Sequence, residues 1–162
     1  TDAVTGSAIR ISRDRRLPII VDPKGLHYGK YHWAGVVTPN AGEAARASHL
    51  EIRDEADLIE AGRRLLAELE TEAILITRGE KGMSLFERGE RVHHLPASAR
   101  EVYDVTGAGD TVVATLTLAL AAGADYRTAA ELANRAAGVV VGKVGTASLT
   151  TDELERAVDG AI

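Results

Sequence analysis

The stretch 54-DEADLIEAGRRLLAELE-70 leads, across Thr71 and Glu72, into 73-AILIT-77, and the change of period between the two decides the fold. In the first segment Leu58, Ile59, Gly62, Leu65, Leu66 and Leu69 recur at helical spacing and make one apolar face. In the second the apolar residues are continuous, the pattern of a strand buried on both faces. Upstream, the β-prone run 36-VVT-38 ends at Pro39 and is followed by a helical 40-NAGEAARASHL-50. Before it, 17-LPIIVD-22 is another short apolar run, closed by Pro23, Gly25 and Gly29, and residues 3–16 are weakly helical. Downstream, 83-MSLFERGERVHHLPA-97 reads as a hairpin turning at Arg88-Gly89. Helices are then expected over about 108–122 and 128–141, the second opened by a capping box from Thr128 to Glu131. A last capped helix starts at 150-TTDE-153 and runs to about Asp159. Alternating apolar strands and helices predict an α/β fold: a mostly parallel sheet with helices on both faces. No repeat or low-complexity linker interrupts it, so residues 1–162 read as one domain.

Composition narrows the function classes. Apolar residues are 45% and charged residues 27% of 162, too charged for a membrane span. Nineteen Lys and Arg against 24 Asp and Glu give a net charge of −5, with no basic run to track a phosphodiester backbone, so nucleic acid is not an expected partner. The chain has no cysteine, which fits a reducing cytoplasm and excludes thiolate metal sites. His27, His32, His49, His93 and His94 show no metal-ligand spacing. The chain starts at Thr1, its only methionine is Met83, and no signal peptide opens it, so it is expected to be a piece of a longer protein.

In a parallel sheet, ligands gather where the strands end, here the loops after Asp22, Thr38, Thr77 and Asp104. The last of these, 104-DVTGAGD-110, feeds a long apolar helix. Amides at a helix start have no intrahelical partner and attract phosphate oxygens, and glycines at 107 and 109 would let an anion approach. Asp110, beside that cradle, could accept a hydroxyl proton. An equally simple reading is a tight turn in which Asp110 complements the helix dipole. Asn40 and Glu43 likewise read either as a capping box or as residues facing a ligand cleft. Thr77-Arg78-Gly79 is a strand end and turn, and Lys24 a phosphate contact or a solvated loop lysine.

Taken in order, these residues carry a resemblance. The run 104-DVTGAGD-110 is similar to the Asp-x-x-Gly-x-Gly-Asp signature of the ribokinase-like (PfkB) carbohydrate kinases, Asn40 to Glu43 to their NxxE element, and 77-TRGEKG-82 to their TxGxxG loop. The resemblance implies a ribokinase-like fold whose N-terminal part and lid are missing here, residues 1–162 being the C-terminal nucleotide-binding half. It implies ATP and Mg²⁺ as cofactors, a small-molecule sugar phosphate as substrate, a cytoplasmic location and a homodimer for the full-length protein. It implies Asp110 as base, the amides of Gly107, Ala108 and Gly109 as anion hole, and Asn40, Ala41, Gly42, Glu43, Thr77, Gly79, Gly82 and Asn134 as ATP contacts. Glu43 would reach the metal through water, and Lys24, Asp104 and Thr106 would meet phosphate or substrate. The combination of 22-DPKG-25, 38-TPNAGE-43, 83-MSLF-86 and 138-GVVVGKVGT-146 resembles most the branch that phosphorylates D-glycero-β-D-manno-heptose 7-phosphate. Members acting on ribose, fructose or fructose phosphate are the alternatives, as is a nucleotide-binding fragment without catalysis.

Overall fold

A computed structural model describes residues 1–99 and 102–160. In chain order the elements are α1 (Asp2–Asp14), β1 (Ile20–Val21), β2 (Val36–Val37), α2 (Ala41–Ser48), α3 (Glu55–Leu69), β3 (Ala73–Thr77), β4 (Met83–Glu87), β5 (Arg91–Leu95), α4 (Ala108–Ala121), α5 (Tyr126–Val141) and α6 (Thr151–Val158). The five strands form one sheet in the order β1-β2-β3-β4-β5. β1 pairs parallel with β2, and β2 with β3, in the register Val21↔Val37 and Val37↔Ile74. β4 and β5 are joined by three residues, a connection that can only return the chain antiparallel.

The chain forms two compact units, Thr1–Arg78 with Ser84–His94, and Gly79–Met83 with the residues from Leu95 onward. The first holds most of the sheet. Its core joins Val37, Ile74, Ile76 and Phe86 of the strands to Ala44 and Ala47 of α2 and Leu58, Leu65 and Leu69 of α3. Ala73, Ile74, Leu75 and Ile76 are all fully buried, as a continuous apolar strand requires. The second unit is helical, with α4 against α5 and α5 against α6. Ala129, Ala130, Ala133 and Ala136 are fully buried, small residues that let the α5 backbone come close to its neighbours.

Four expectations change. The strand expected over 17–22 keeps only Ile20 and Val21, because Pro18 has no amide to give a ladder and Pro23 closes the other end. α5 begins at Tyr126 with Asp125 as its cap, not at Thr128; the Asp125 carboxylate takes the Thr128 amide at 2.7 Å, while Glu131 pairs with Arg127 instead of closing a box. The segment before Asp104 is not a strand among the described residues; the expectation falls partly on residues 100–101, outside them. The amides of Tyr103 and Asp104 donate instead to the Val141 carbonyl, at 2.8 and 3.3 Å. A short 3₁₀ turn, Tyr28–Tyr31, also forms where only a loop was expected.

Candidate functional site

Parallel pairing aligns the C-terminal ends of β1, β2 and β3 on one edge of the first unit, and four predicted groups stand there. After β1, the Lys24 ammonium pairs with Asp22 at 2.9 Å. The Lys24 amide donates to the Tyr31 hydroxyl at 3.0 Å, and that hydroxyl donates to the Lys24 carbonyl at 3.3 Å, so the 3₁₀ turn holds the loop from behind. After β2, Asn40 caps α2: its side-chain oxygen accepts the Glu43 amide, and Glu43 Oε2 accepts the Asn40 amide, both at 2.9 Å. After β3, the Thr77 amide donates to the Pro39 carbonyl at 3.0 Å, and Asn40 and Thr77 form a parallel bridge. The two loops expected to meet a nucleotide are therefore clamped together by backbone. Ala41 and the exposed Gly42 occupy the first turn of α2. Burial and then the charge of Glu43 push the Tyr28 phenol above the usual tyrosine range, keeping it protonated, and its hydroxyl has no hydrogen-bond partner among the described residues.

The second unit carries the glycine loop. Asp104 accepts the Thr106 amide at 2.9 Å, and the Thr106 hydroxyl, with that amide and the Gly145 amide behind it, holds the Asp104 carboxyl below the usual carboxylate range. Gly107 follows at φ +81° as the cap residue of α4, a conformation that costs any residue with a Cβ. It offers no capping side chain. Its carbonyl accepts both the amide and the hydroxyl of Thr111, each at 3.0 Å. The Ala108 amide is used by the Val105 carbonyl at 3.2 Å, while those of Gly107, Gly109 and Asp110 have no acceptor among the described residues. The open set is therefore Gly107, Gly109 and Asp110, with Ala108 committed to the turn. Gly109 is already helical and a Cβ there would meet nothing within 4 Å. Both Gly109 and Asp110 are exposed.

Two predicted contacts have structural duties. A Cβ on Gly82, at φ +79°, would overlap the Leu95 carbonyl oxygen, so glycine is required there by packing; Gly79 opens the exposed 3₁₀ turn Gly79–Lys81. Asn134 is buried in α5 and donates to the Pro96 carbonyl at 2.7 Å, fixing the segment after β5. Lys143 pairs with Glu153 at 2.7 Å and donates to the Ser148 carbonyl at 2.8 Å, closing the loop before α6. Sequence reasoning missed one cluster, Arg78, Ser84 and His94, at 2.9 to 3.4 Å from one another. The hairpin register could have shown it, since Ser84 and His94 stand five residues either side of Gly89.

The residues at the start of α4 fit an anion. Three amides without acceptors beside an unfilled glycine position suit phosphate oxygens. No cluster of three or more His, Asp or Glu that could hold a metal occurs among the described residues. Two clefts of about 460 and 550 Å³ lie elsewhere on the first unit, around Phe86 and Arg88 and around Arg13 and Trp33. No helix among the described residues is long and apolar enough to cross a membrane.

Known proteins match the chain in sequence and in fold. Residues 6–153 match the family model of the pfkB family carbohydrate kinases. The bifunctional protein HldE of Geobacter metallireducens is 53% identical over 154 residues, which are 95% of this chain and 31% of that protein. HldE of Pseudomonas aeruginosa is 50% identical over 150 residues, 93% of this chain and 31% of its own length. The chain thus spans less than a third of the curated relatives it matches. Among solved structures, Arabidopsis thaliana ribokinase complexed with ribose and ATP superposes with a TM-score of 0.88 over 98% of this chain and 53% of its own, at 21% identity. Escherichia coli phosphofructokinase-2 in complex with potassium gives 0.86 over 99% and 52%, at 17% identity. At such identities the structural likeness speaks to the fold, which is ribokinase-like. The match across residues 6–153 speaks to descent: the chain belongs to the pfkB family of carbohydrate kinases.

Proposed function

We propose that this chain is the C-terminal nucleotide-binding half of a cytoplasmic, ATP-dependent sugar kinase. Its substrate is a sugar phosphate, and the transfer is from ATP to the anomeric hydroxyl of D-glycero-β-D-manno-heptose 7-phosphate, giving the 1,7-bisphosphate. The observation that carries the reading is the uncapped start of α4, where amides without acceptors stand beside the exposed carboxylate of Asp110. In this reaction Asp110 takes the hydroxyl proton as the sugar oxygen bonds to the γ-phosphorus and the bond to the bridging oxygen of ADP breaks. The amides of Gly107 and Gly109 hold the phosphoryl oxygens as charge moves onto the leaving group. Asp104 orients the loop through Thr106. Ala41, Gly42, Thr77 and Gly79 meet the nucleotide with backbone groups, Gly82 and Asn134 shape its surroundings, and Lys24 meets a phosphate after leaving Asp22. Mg²⁺ would be held through water by Glu43, whose second carboxylate oxygen is not used in the capping box, and would neutralise phosphate charge.

The heptose rests on the branch-specific motifs and on about half identity to HldE. It is tested by assaying the full-length protein with ATP against heptose 7-phosphate, ribose, fructose and fructose 6-phosphate. Turnover with ribose and none with heptose 7-phosphate overturns the substrate. The isolated 162-residue chain is expected to bind Mg-ATP weakly and turn over almost nothing, since positioning of both reactants supplies several kcal/mol of barrier lowering. Calorimetry beside a turnover assay measures both, and brisk phosphorylation by the isolated chain refutes that part.

A further inference from the structure

Arg78 stands between Thr77 and Gly79 at the end of β3, half-buried. Arg53, Arg64, Arg88, Arg91 and Arg127 each pair with a carboxylate, whereas Arg78 has none within ion-pair distance among the described residues. Its Nη1 donates to the hydroxyl of the fully buried Ser84 at 3.0 Å and lies 3.4 Å from His94 Nδ1. Ser84 Oγ is 2.9 Å from the same Nδ1, and His94 Nε2 is 3.8 Å from Glu55 Oε1. Donor chemistry orders the cluster. A guanidinium only donates, so Ser84 accepts from Arg78, and the Ser84 hydroxyl shares a further hydrogen bond with His94 Nδ1. Neither Ser84 nor His94 is a carboxylate that would cancel the guanidinium charge, and Nε and Nη2 keep donors for an anion.

We propose that Arg78 is a further binding residue for the nucleotide's phosphates, with Ser84 and His94 as the positioning residues that set its guanidinium. The proposal rests on the ATP-dependent kinase reading above.

The test is calorimetric titration of the full-length protein with Mg-ATP. Arg78→Ala is expected to weaken binding about 10- to 100-fold, and Ser84→Ala and His94→Ala about 2- to 10-fold. His94→Asn keeps a hydrogen-bonding group near the Nδ1 position and is expected to recover part of the His94→Ala loss. Wild-type affinity in Arg78→Ala, or equal losses in His94→Ala and His94→Asn, overturns the proposal. If wild type phosphorylates sugar, Asp110→Asn does not, and Arg78→Ala still binds normally, only this proposal falls. If wild type neither binds Mg-ATP nor phosphorylates any sugar, the kinase reading falls and takes the proposal with it.

Discussion

Helices α2 and α4, one in each unit, both start at residues singled out from the sequence, and they start in opposite ways. α2 is closed by its own side chains, Asn40 and Glu43 each satisfying the other's amide. α4 starts at a glycine that has no side chain to cap with, and three amides near its start have no acceptor among the described residues. A buried or ligand-facing helix start leaves donors that something must satisfy. In α2 the sequence does so internally, which fixes the loop after β2; in α4 it leaves room for an external acceptor. The same motif position can thus serve stability in one helix and binding in the other, and substitutions at the two should separate stability from turnover.

The largest effect is expected at the open end. Asp110→Asn in the full-length kinase removes the proton acceptor while keeping size and hydrogen-bonding capacity, so kcat should fall about 10²- to 10⁴-fold with Mg-ATP affinity little changed. Turnover close to wild type would remove Asp110 from the role of base. The two glycines of the same turn should then part company. Gly107→Ala puts a Cβ at φ +81° and within 3.4 Å of Thr146 Cγ2, and should cost about 1–2 kcal/mol of stability. Gly109→Ala adds a methyl to a helical position with nothing within 4 Å, and should stabilise the free protein by up to about 1 kcal/mol while weakening Mg-ATP binding. Urea unfolding beside calorimetry reads both signs. If Gly109→Ala left binding intact, the open space at Gly109 would not be ligand space.

At the closed end the order of effects should reverse. Asn40→Ala breaks the capping box and should cost about 1 kcal/mol in urea unfolding, whereas Asn40→Asp, another good cap, should recover most of it. A stability loss equal in both variants would mean that the cap matters less than the bridge between Asn40 and Thr77.

Much of this was legible in the chain because it is written in local period and chemistry. The apolar run of β3, the turn at Arg88-Gly89, the box at Asn40 and the capped helix start at Thr150 each depend on residues within a few positions, and each formed as read. What was not legible depends on distant neighbours. Asp125 and Thr128 are both good caps, and the choice between them follows from where α5 packs on α4. Gly82 looks like a nucleotide-loop glycine, yet its lack of a Cβ is required by the Leu95 carbonyl, which no pattern around residue 82 announces. Ala108, expected to offer its amide with its two glycine neighbours, spends it on Val105 because the turn into α4 is tight. Four residues of 3₁₀ turn at Tyr28–Tyr31 are too few to carry a period. In the candidate site, then, residue types were readable and the division of labour among them was not.

The smallest effect concerns what braces the open turn from behind. The loop from Gly142 to Thr150 brings Thr146 close to Gly107, and that loop is tied down by Lys143, which bonds Ser148 and Glu153. The Lys143 ammonium, then the amide and hydroxyl of Thr150, hold the Glu153 carboxyl at about 2, against an ordinary value of 4.5. A carboxyl depressed in the folded state binds its proton more readily when unfolded, so its stabilising contribution is complete above about 4.5 and is lost as pH falls toward about 2. Asp104 works in the same direction, through its bonds from Thr106. Wild type and Glu153→Gln should therefore differ in urea midpoint at pH 7, and the difference should shrink below about 4.5 and vanish near about 2. α2 has no such lysine-bound brace at its start, so Asn40→Asp and wild type should keep nearly parallel midpoints between pH 7 and about 4.5, where carboxylates begin to titrate. A Glu153→Gln difference that persisted unchanged to about pH 2 would show that the loop is held by packing alone, and the open turn would then owe its shape to Gly107 and not to the charges behind it.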